Sequence, residues 1–238
     1  MGRSPSPEAQ ELRQLVHRAY SSDAVVARYR ARVSEGLRVW EATVAARCFP
    51  AGARVLAVGC GAGREVFGLE ALGFSVCGTD ISPELLEAAR AIAAERGSRA
   101  RFERTDGAVL PCDSGAFDVV ILWSQVLANV PGAAARLALL RQARRVLADG
   151  GLATFSVHDR ALTEPMVRAD EVVARGPGPG DLVVRAEEDG VPCYFHYFDR
   201  DEVEALCRDA GFASLQIQHT SDLGQQWGNV FVVTARSA

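Results

Sequence analysis

Lysine is absent from this sequence of 238 residues, and all 26 of its basic residues are arginine. The absence excludes Schiff-base formation and a lysine general base, and it excludes the P-loop of nucleotide hydrolases, which needs a phosphate-binding lysine. The formal net charge is −4, and no basic run or basic helix face stands out. Nucleic acid is therefore an unfavoured partner.

Metal-binding and membrane-spanning patterns are also missing. The six cysteines form no C-x-x-C pair and no Cys/His cluster at the spacing of a metal site. Several of them lie in apolar runs, which is typical of reduced thiols in a reducing compartment. No apolar run has the length of a transmembrane helix, so the sequence predicts a cytoplasmic, metal-independent protein without membrane association.

Strands and helices alternate through the first two thirds of the chain. Predicted strands lie at 54–58, 74–79, 100–104, 117–123 and 152–157. Predicted helices lie at 7–20, 23–48, 82–97 and 133–147, and Ser82 and Gly97 cap the third of them. This alternation predicts an α/β fold with a doubly wound, mostly parallel sheet and helices on both of its faces.

A different pattern follows the fifth strand. The motif "RGPGPGD" excludes regular helix and central strand, and the apolar runs "LVVRA" and "PCYFHYF" around "EEDG" predict a β-hairpin. A capped helix at 199–212 precedes two strands, "ASLQIQHT" and "WGNVFVVTA", which close the sheet as an antiparallel pair. We interpret 1–48 as an N-terminal helical cap, 49–158 and 199–238 as the core, and 159–198 as an inserted lid over the ligand-binding end of the sheet. The loop 159–180 is either an ordered part of this lid or a disordered excursion.

Three glycines separate the first strand from the helix that follows it. Gly59, Gly61 and Gly63 give the pattern G-x-G-x-G, and Arg64 stands where a dinucleotide fingerprint needs its third glycine. Taken alone, the turn is either a ligand cradle or only a tight connection. Asp80 ends the second strand, where a carboxylate can bind ribose hydroxyls, and Asp106 follows the third. Together they favour a nucleoside-containing ligand.

The chain resembles the class I S-adenosylmethionine-dependent methyltransferases over about residues 50 to 235. The resemblance is carried, in this order, by "VLAVGCGAGREV", "GTDISPELLEAAR", "ERTDGAVLP", "FDVVILWSQVLANVP", "RRVLADGGLATFSV" and "YFHYFDRDEVEALCRDAGF". It implies a seven-stranded sheet whose last strand is antiparallel, with S-adenosylmethionine bound over the carboxyl ends of the first strands. Ala57 departs from the family, in which many members carry an acidic residue at this position of the first strand.

The resemblance also implies roles for residues around the glycine turn. The turn residues Gly59, Cys60, Gly61 and Gly63 would approach the methionyl part of the cofactor, because glycine lets backbone come close. Asp80 would bind the ribose and Ile81 would pack against adenine. Asp106, with the amides of Gly107 and Ala108, would contact the adenine edge. The backbone carbonyls of Leu122, Trp123 and Ser124 would accept hydrogen bonds from the cofactor's amino group.

Methyl transfer depends mainly on alignment, and a general base is needed only where the acceptor must lose a proton. The candidate bases are His158, His196 and the carboxylate of Asp159. His158 follows the fifth strand and either faces substrate or is a structural histidine; His196 either lines the lid or lies on the outer face of its hairpin. Candidate substrate contacts are Tyr20, Gln125 and Asn129, and Tyr20 with Tyr29 would either cap the cofactor or belong to the core.

The acceptor is predicted to be a small molecule or a peptide of natural-product type, methylated at oxygen or nitrogen. Trp123 and the segment "YFHYF" favour a partly apolar acceptor. Two alternatives stay open. Wobble-uridine methyltransferases of tRNA share an aromatic-His segment before the penultimate helix, although the net acidity argues against tRNA. The chain could also bind cofactor as a non-catalytic partner.

Overall fold

The computed structural model describes residues 7–185 and 190–237. Ten strands are present in it: Arg54–Val58 (β1), Ser75–Asp80 (β2), Arg101–Arg104 (β3), Phe117–Leu122 (β4), Leu147–His158 (β5), Val172–Arg175 (β6), Asp181–Arg185 (β7), Pro192–His196 (β8), Ser214–His219 (β9) and Val230–Arg236 (β10). The α-helices are Pro7–Tyr20 (α1), Asp23–Arg32 (α2), Val39–Cys48 (α3), Arg64–Ala71 (α4), Pro83–Arg96 (α5), Ala133–Val146 (α6), Arg160–Thr163 (α7) and Arg200–Ala210 (α8).

The main sheet has seven strands in the order β3-β2-β1-β4-β5-β10-β9. Strands β1 to β5 run parallel to one another, and β10 is antiparallel to both β5 and β9. The predicted α/β fold, with its antiparallel last strand, is therefore confirmed. Side chains of β1 alternate between two apolar cores: Val55 and Ala57 belong to one, and Leu56 and Val58 to the other. Helices cover both faces of the sheet, as the near-continuous apolar strands predict.

The predicted caps of the helix after β2 are confirmed. Ser82 Oγ accepts a hydrogen bond of 3.1 Å from the Leu85 amide, Pro83 occupies the first turn, and Gly97 ends α5 at a φ of +64°. These caps fix the first turn of α5 directly after Asp80, at the carboxyl edge of the sheet.

The prediction of one continuous helix at 23–48 is wrong. It is divided into α2, a 3₁₀ turn at Val33–Glu35, and α3. Gly36 has a φ of +65°, which ends the helical path, and its carbonyl accepts a 2.7 Å hydrogen bond from Arg64 Nη1. The break turns α3 onto the core, where Trp40 and Val44 are buried.

The fifth strand begins five residues earlier than the predicted 152–157. Leu147 already pairs with Phe117 of β4, and the register shifts before Val119 pairs with Leu152. An irregularity in the ladder therefore accommodates the residues between Leu147 and Leu152 inside one strand, where the sequence indicated a turn.

The segment after β5 is more regular than its sequence predicts. The short helix α7, a 3₁₀ turn at Glu164–Met166 and the strand β6 all lie within 159–180. Strand β6 is an edge strand of a second, antiparallel sheet in the order β6-β7-β8. At an edge, the nearby glycines and prolines do not interrupt the hydrogen bonds of a central strand. The predicted hairpin is confirmed as β7 and β8, while residues 187–189 of its predicted turn "EEDG" lie outside the described residues.

Candidate active site

A cavity of about 650 Å³ lies at the carboxyl edge of the sheet. It is bounded below by the residues that follow β1, β2, β4 and β5, and above by α1, α2 and the hairpin β7–β8. The predicted site residues that line it are Tyr20, Tyr29, Gly59, Cys60, Gly61, Asp80, Ile81, Gly107, Ser124, Gln125, Asn129 and His158. Segments far apart in the chain thus meet at the edge where α/β folds bind ligands.

The glycine turn has a backbone that only glycine adopts freely. The φ angles of Gly59 and Gly61 are +67° and +53°. A Cβ atom on Gly61 would lie 2.8 Å from Tyr29 Cδ1, so α2 packs directly on the turn. Gly63 does not line the cavity: it caps α4, with a φ of +94°. Ala57 is buried in the core beneath the turn.

Asp80 joins the glycine turn to α5. Its Oδ2 accepts a 2.7 Å hydrogen bond from the Gly61 amide, and its Oδ1 accepts a 2.9 Å hydrogen bond from the Ser82 amide. Burial raises the pKa of this carboxyl, although both amide hydrogen bonds act in the opposite direction. Each carboxylate oxygen has further lone-pair capacity, so Asp80 can still accept a hydroxyl donor from the cavity.

Beyond β2, only part of the predicted adenine-binding set borders the cavity. Ile81 and Gly107 line it, and a Cβ on Gly107 would lie 3.3 Å from Ile81 Cγ2. Asp106 is exposed and lies outside the lining. Its Oδ1 accepts hydrogen bonds of 2.8 Å from the Ala108 amide and 3.0 Å from the Val109 amide, which lower its pKa. Asp106 therefore closes its own loop rather than facing the cavity.

The side chain of Trp123 is in the core, not in the cavity. Its Nε1 donates to Thr154 Oγ1 at 3.3 Å, and its ring packs on Trp40 with a centroid distance of 5.3 Å. The alternation of β4 carries the signal that places it there, because Val119, Ile121 and Trp123 all point into the same core cluster. The predicted contribution of Trp123 to an apolar pocket wall is thus corrected.

His158 borders the cavity at the end of β5. Its Nδ1 is buried and has no hydrogen-bond partner among the described residues. Burial, with a smaller contribution from the nearby Arg38 cation, lowers the pKa of His158 to about 4. The imidazole is therefore neutral at neutral pH, and its ring rests edge-on against Tyr197 at a centroid distance of 5.6 Å.

His196, the other predicted base, lies outside the cavity lining. Its Nδ1 is 2.6 Å from Asp181 Oδ1 and its Nε2 is 2.9 Å from Glu202 Oε2, so both ring nitrogens are occupied. Arg136 Nη2 also contacts Glu202, at 3.2 Å. This buried ionic network joins the hairpin to α6 and α8, which explains why His196 is not available to a substrate.

Asp159, the carboxylate considered as a base, is also occupied by protein groups. Its Oδ2 is 3.0 Å from His219 Nε2, and its Oδ1 accepts a 2.9 Å hydrogen bond from the Ala161 amide at the start of α7. Asp159 is not part of the cavity lining and acts as the cap of α7.

Asn129 connects two parts of the cavity roof. Its Oδ1 accepts a 2.9 Å hydrogen bond from Tyr20 Oη of α1, and its Nδ2 donates to the Tyr194 carbonyl of β8 at 2.8 Å. Next to this link, Val16 and Ala19 of α1 pack on the hairpin in a small apolar cluster. Both amide atoms of Asn129 are therefore used within the protein.

A buried ionic network beneath the cavity was not predicted. Arg64 donates to both oxygens of Glu41, at 2.7 and 2.6 Å, and to Glu65 Oε1 at 2.6 Å. Ser124 Oγ donates to the same Glu65 oxygen at 2.5 Å. The network joins α3, α4 and the end of β4. Sequence gives no signal for it, because a charged residue in an amphipathic helix is normally solvated.

Other lining residues were also missed by sequence. They are Val16, Arg28, Arg32, Arg38, Thr105, Leu110, Val126, Val130, Trp227 and Asn229, among others. In the described part of the chain, no three His, Cys, Asp or Glu side chains are grouped to hold a metal ion. No helix among residues 7–185 and 190–237 is long and apolar enough to cross a membrane.

The comparisons with known proteins agree with this geometry. Residues 55–151 match a methyltransferase domain. Over 196 residues the chain is 31% identical to the ubiquinone biosynthesis O-methyltransferase of Xanthomonas axonopodis pv. citri (strain 306), covering 82% of this chain and 76% of that protein.

Solved methyltransferases share the fold. The 1,6-didemethyltoxoflavin-N1-methyltransferase of Burkholderia thailandensis, solved with 1,6-didemethyltoxoflavin and S-adenosylhomocysteine, has a TM-score of 0.64 at 20% identity and covers 100% of this chain and 93% of its own. The CcbJ methyltransferase of Streptomyces caelestis has a TM-score of 0.64 at 21% identity, covering 84% of this chain and 89% of its own.

The residues of the cavity fit S-adenosylmethionine. The turn at Gly59 and Gly61 brings backbone, without side chains, to the cavity floor, and the buried carboxylate of Asp80 is within reach of a hydroxyl donor. This cofactor has no pyrophosphate, so neither a third fingerprint glycine nor a lysine is required. The chain belongs to the class I S-adenosylmethionine-dependent methyltransferases, and its cofactor is S-adenosylmethionine.

Proposed function

We propose that this methyltransferase acts on a small, partly apolar acceptor, either a small molecule or a peptide of natural-product type, at an oxygen or nitrogen atom. The observation that carries the proposal is that one cavity is lined both by Gly59, Gly61 and Asp80 and by His158, whose buried Nδ1 has no hydrogen-bond partner among the described residues. Its volume of about 650 Å³ is in the range of small-molecule sites, about 300–1,000 Å³.

The cofactor is proposed to occupy the β1–β2 side of the cavity. S-adenosylmethionine supplies a methyl group that its sulfonium already activates. Gly59, Cys60 and Gly61 would hold the methionyl part against the backbone, and Asp80 would accept from the ribose hydroxyls. Ile81 and Gly107 would enclose the adenine.

The acceptor is proposed to occupy the β4–β5 side. His158 lies three strand spacings from Asp80 along the sheet order, about 14 Å, which leaves room for the reacting groups between them. With its proton on Nε2, His158 would accept at Nδ1 the proton that the acceptor loses. The bound cofactor would supply the methyl group through cleavage of its sulfur–methyl bond and would leave as S-adenosylhomocysteine. Val126, Val130 and Phe195 supply apolar wall, and such walls align an acceptor at little desolvation cost.

Hydroxyl acceptors are the first class to test. The curated relative is named as an O-methyltransferase of ubiquinone biosynthesis. A proton on oxygen must leave during methylation, and His158 is a neutral acceptor for it. Nitrogen acceptors are the second class, because one fold neighbour is named as an N1-methyltransferase of a small heterocycle.

The experiment is an acceptor panel with S-adenosylmethionine, read as methylated product by mass spectrometry. The panel contains phenols, alcohols, heterocyclic amines, short peptides and tRNA, and Asp80→Ala is the variant impaired in cofactor binding. Methylation of phenols, amines or peptides by the native chain, reduced in Asp80→Ala, supports the proposal. Methylation of tRNA alone, with a steep salt dependence, would overturn it. Tight binding of S-adenosylhomocysteine without transfer to any acceptor would also overturn it.

A further inference from the structure

The backbone directly after β4 adopts a conformation that L-residues avoid. Ser124 and Gln125 have φ angles of +54° and +69°, and among the described residues no other non-glycine residue has a positive φ. Side chains in this left-handed region crowd their own carbonyl oxygen. Such backbone persists only where its surroundings over-determine it, and it concentrates at functional sites.

Side chains of α3 and α4 hold this turn in place. Ser124 Oγ donates to Glu65 Oε1 at 2.5 Å and accepts from Arg64 Nη2 at 3.1 Å. Arg64 is itself held by the buried carboxylate of Glu41. On the other side, the Gln125 carbonyl accepts from the Ala128 amide at 2.9 Å. The strained conformation is therefore enforced from beneath the cavity.

The turn leaves an unsatisfied hydrogen-bond acceptor beside the cavity. Gln125 lines the cavity, and its Oε1 is buried with no hydrogen-bond partner among the described residues. Leu122 of β4 pairs with Phe155 of β5, and the Gln125 amide lies 3.5 Å from Ser156 Oγ of β5, so the turn stays beside the strand that ends at His158. Neighbouring strands are about 4.8 Å apart. Gln125 and His158 thus line one cavity from adjacent strand ends, and each has a buried polar atom, Oε1 and Nδ1 respectively, without a hydrogen-bond partner among the described residues.

We propose that Gln125 is a specificity-determining residue, whose amide oxygen binds a second hydrogen-bond donor of the methyl acceptor. This inference rests on the proposed function, in which the reacting group faces His158. The favoured acceptors carry a hydroxyl or amino group adjacent to the one that is methylated. An acceptor lacking that donor leaves Gln125 Oε1 buried and unpaired, and sites of this kind discriminate strongly against the missing group.

The test compares an acceptor that bears the adjacent donor with its analogue that lacks it, using kcat/KM for each. Gln125→Met removes the acceptor oxygen at similar length, and Gln125→Glu keeps an oxygen there. Gln125→Asn, a residue that tolerates the left-handed conformation, guards against misfolding of the longer variants. Gln216→Met, at an exposed position of β9, is the matched control. The dissociation constant for S-adenosylhomocysteine is measured for every variant.

We expect the native chain and Gln216→Met to prefer the donor-bearing acceptor at least tenfold. In Gln125→Met the preference falls to within twofold, through loss on the donor-bearing acceptor, while the affinity for S-adenosylhomocysteine is unchanged. Gln125→Glu retains most of the preference. Tenfold weaker S-adenosylhomocysteine binding in Gln125→Met, with the preference intact, would assign the oxygen to the cofactor and overturn the inference.

Failure of the proposed function gives a different result. If the native chain methylates none of the small acceptors, the proposed function fails and this inference falls with it. If the native chain is active and the preference is the same in Gln125→Met and Gln125→Asn, only the role of Gln125 is refuted.

Discussion

The ring of Tyr29 lies directly over Gly61: a Cβ atom on this glycine would come within 2.8 Å of Tyr29 Cδ1. Gly61→Ala should therefore displace α2 as well as strain the turn, and the affinity for S-adenosylhomocysteine should fall at least tenfold, about 1.4 kcal/mol. Isothermal titration calorimetry measures the loss.

A second glycine, Gly52, separates the effect of backbone strain from the effect of the contact with Tyr29. Gly52 has a φ of +68°, close to the +53° of Gly61, but a Cβ there would meet nothing within 4 Å. Gly52→Ala should destabilise the fold by about 1 kcal/mol through backbone strain alone and leave the ligand affinity unchanged. Equal loss of affinity in both variants would contradict a local effect of Tyr29 on the turn.

The buried Arg64 should stabilise the protein far more than an exposed arginine with equally good geometry. Arg64→Met leaves the carboxylates of Glu41 and Glu65 buried without their shared cation. Breaking such a pair from one side costs about 3–5 kcal/mol of unfolding free energy. Urea denaturation of native chain and variant gives the difference.

Two comparisons make this prediction specific. Arg54, which contacts Asp118 at 2.8 Å, is half-exposed, so Arg54→Met should cost only a small part of the loss seen for Arg64→Met. The double variant Arg64→Met/Glu41→Gln removes one uncompensated charge and should recover part of the loss. Absence of any recovery would show that packing, rather than charge, determines the cost.

The His196 network predicts that its contribution to the free energy of unfolding decreases as the pH rises. Burial opposes the charged imidazole, but the hydrogen bonds that the ring donates to the carboxylates of Asp181 and Glu202 outweigh it and raise the pKa of His196 above its ordinary 6.5. A group whose pKa is raised by folding stabilises the native state below its unfolded pKa, and this contribution is lost as the pH rises through the folded pKa. The stability advantage of the native chain over His196→Gln should therefore be full below pH 6.5 and shrink at higher pH. Urea titrations from pH 6 to 9 measure it, and a pH-independent difference would refute the protonated network.

How much of this structure can be predicted from the sequence depends on how far apart in the chain the interacting residues lie. The cap at Ser82, the glycine turn and the strand ending at Asp80 follow from neighbouring residues, and the structure agrees on each. The orientation of Trp123 was also within reach, since it continues the alternation of β4. Local patterns carry this information because periodicity and capping act within a few residues.

Contacts between distant segments were beyond such patterns. Tyr20 reaches Asn129 across 109 positions of sequence, and Arg64 reaches back to Glu41 across 23. The choice between His158 and His196 as the candidate base also depended on contacts between residues that are distant in sequence. Asp181 and Glu202 occupy both nitrogens of His196, whereas the buried Nδ1 of His158 has no hydrogen-bond partner in the part of the chain that the structure describes. Composition and spacing contain no trace of either environment.

The depressed pKa of His158 predicts an unusual pH profile for methyl transfer. Burial first, and the Arg38 cation second, lower the pKa of His158 to about 4. Because the neutral imidazole is the form that accepts a proton, kcat/KM should stay flat from pH 8 down to 5, whereas an ordinary histidine would begin to lose activity near 6.5. His158→Gln should lower kcat about 10²–10⁴-fold. His219 lies outside the cavity lining, so His219→Gln should leave kcat unchanged. An acid limb centred near 6.5 in the native chain, or unchanged kcat in His158→Gln, would remove His158 from the reaction and leave alignment alone to account for the rate.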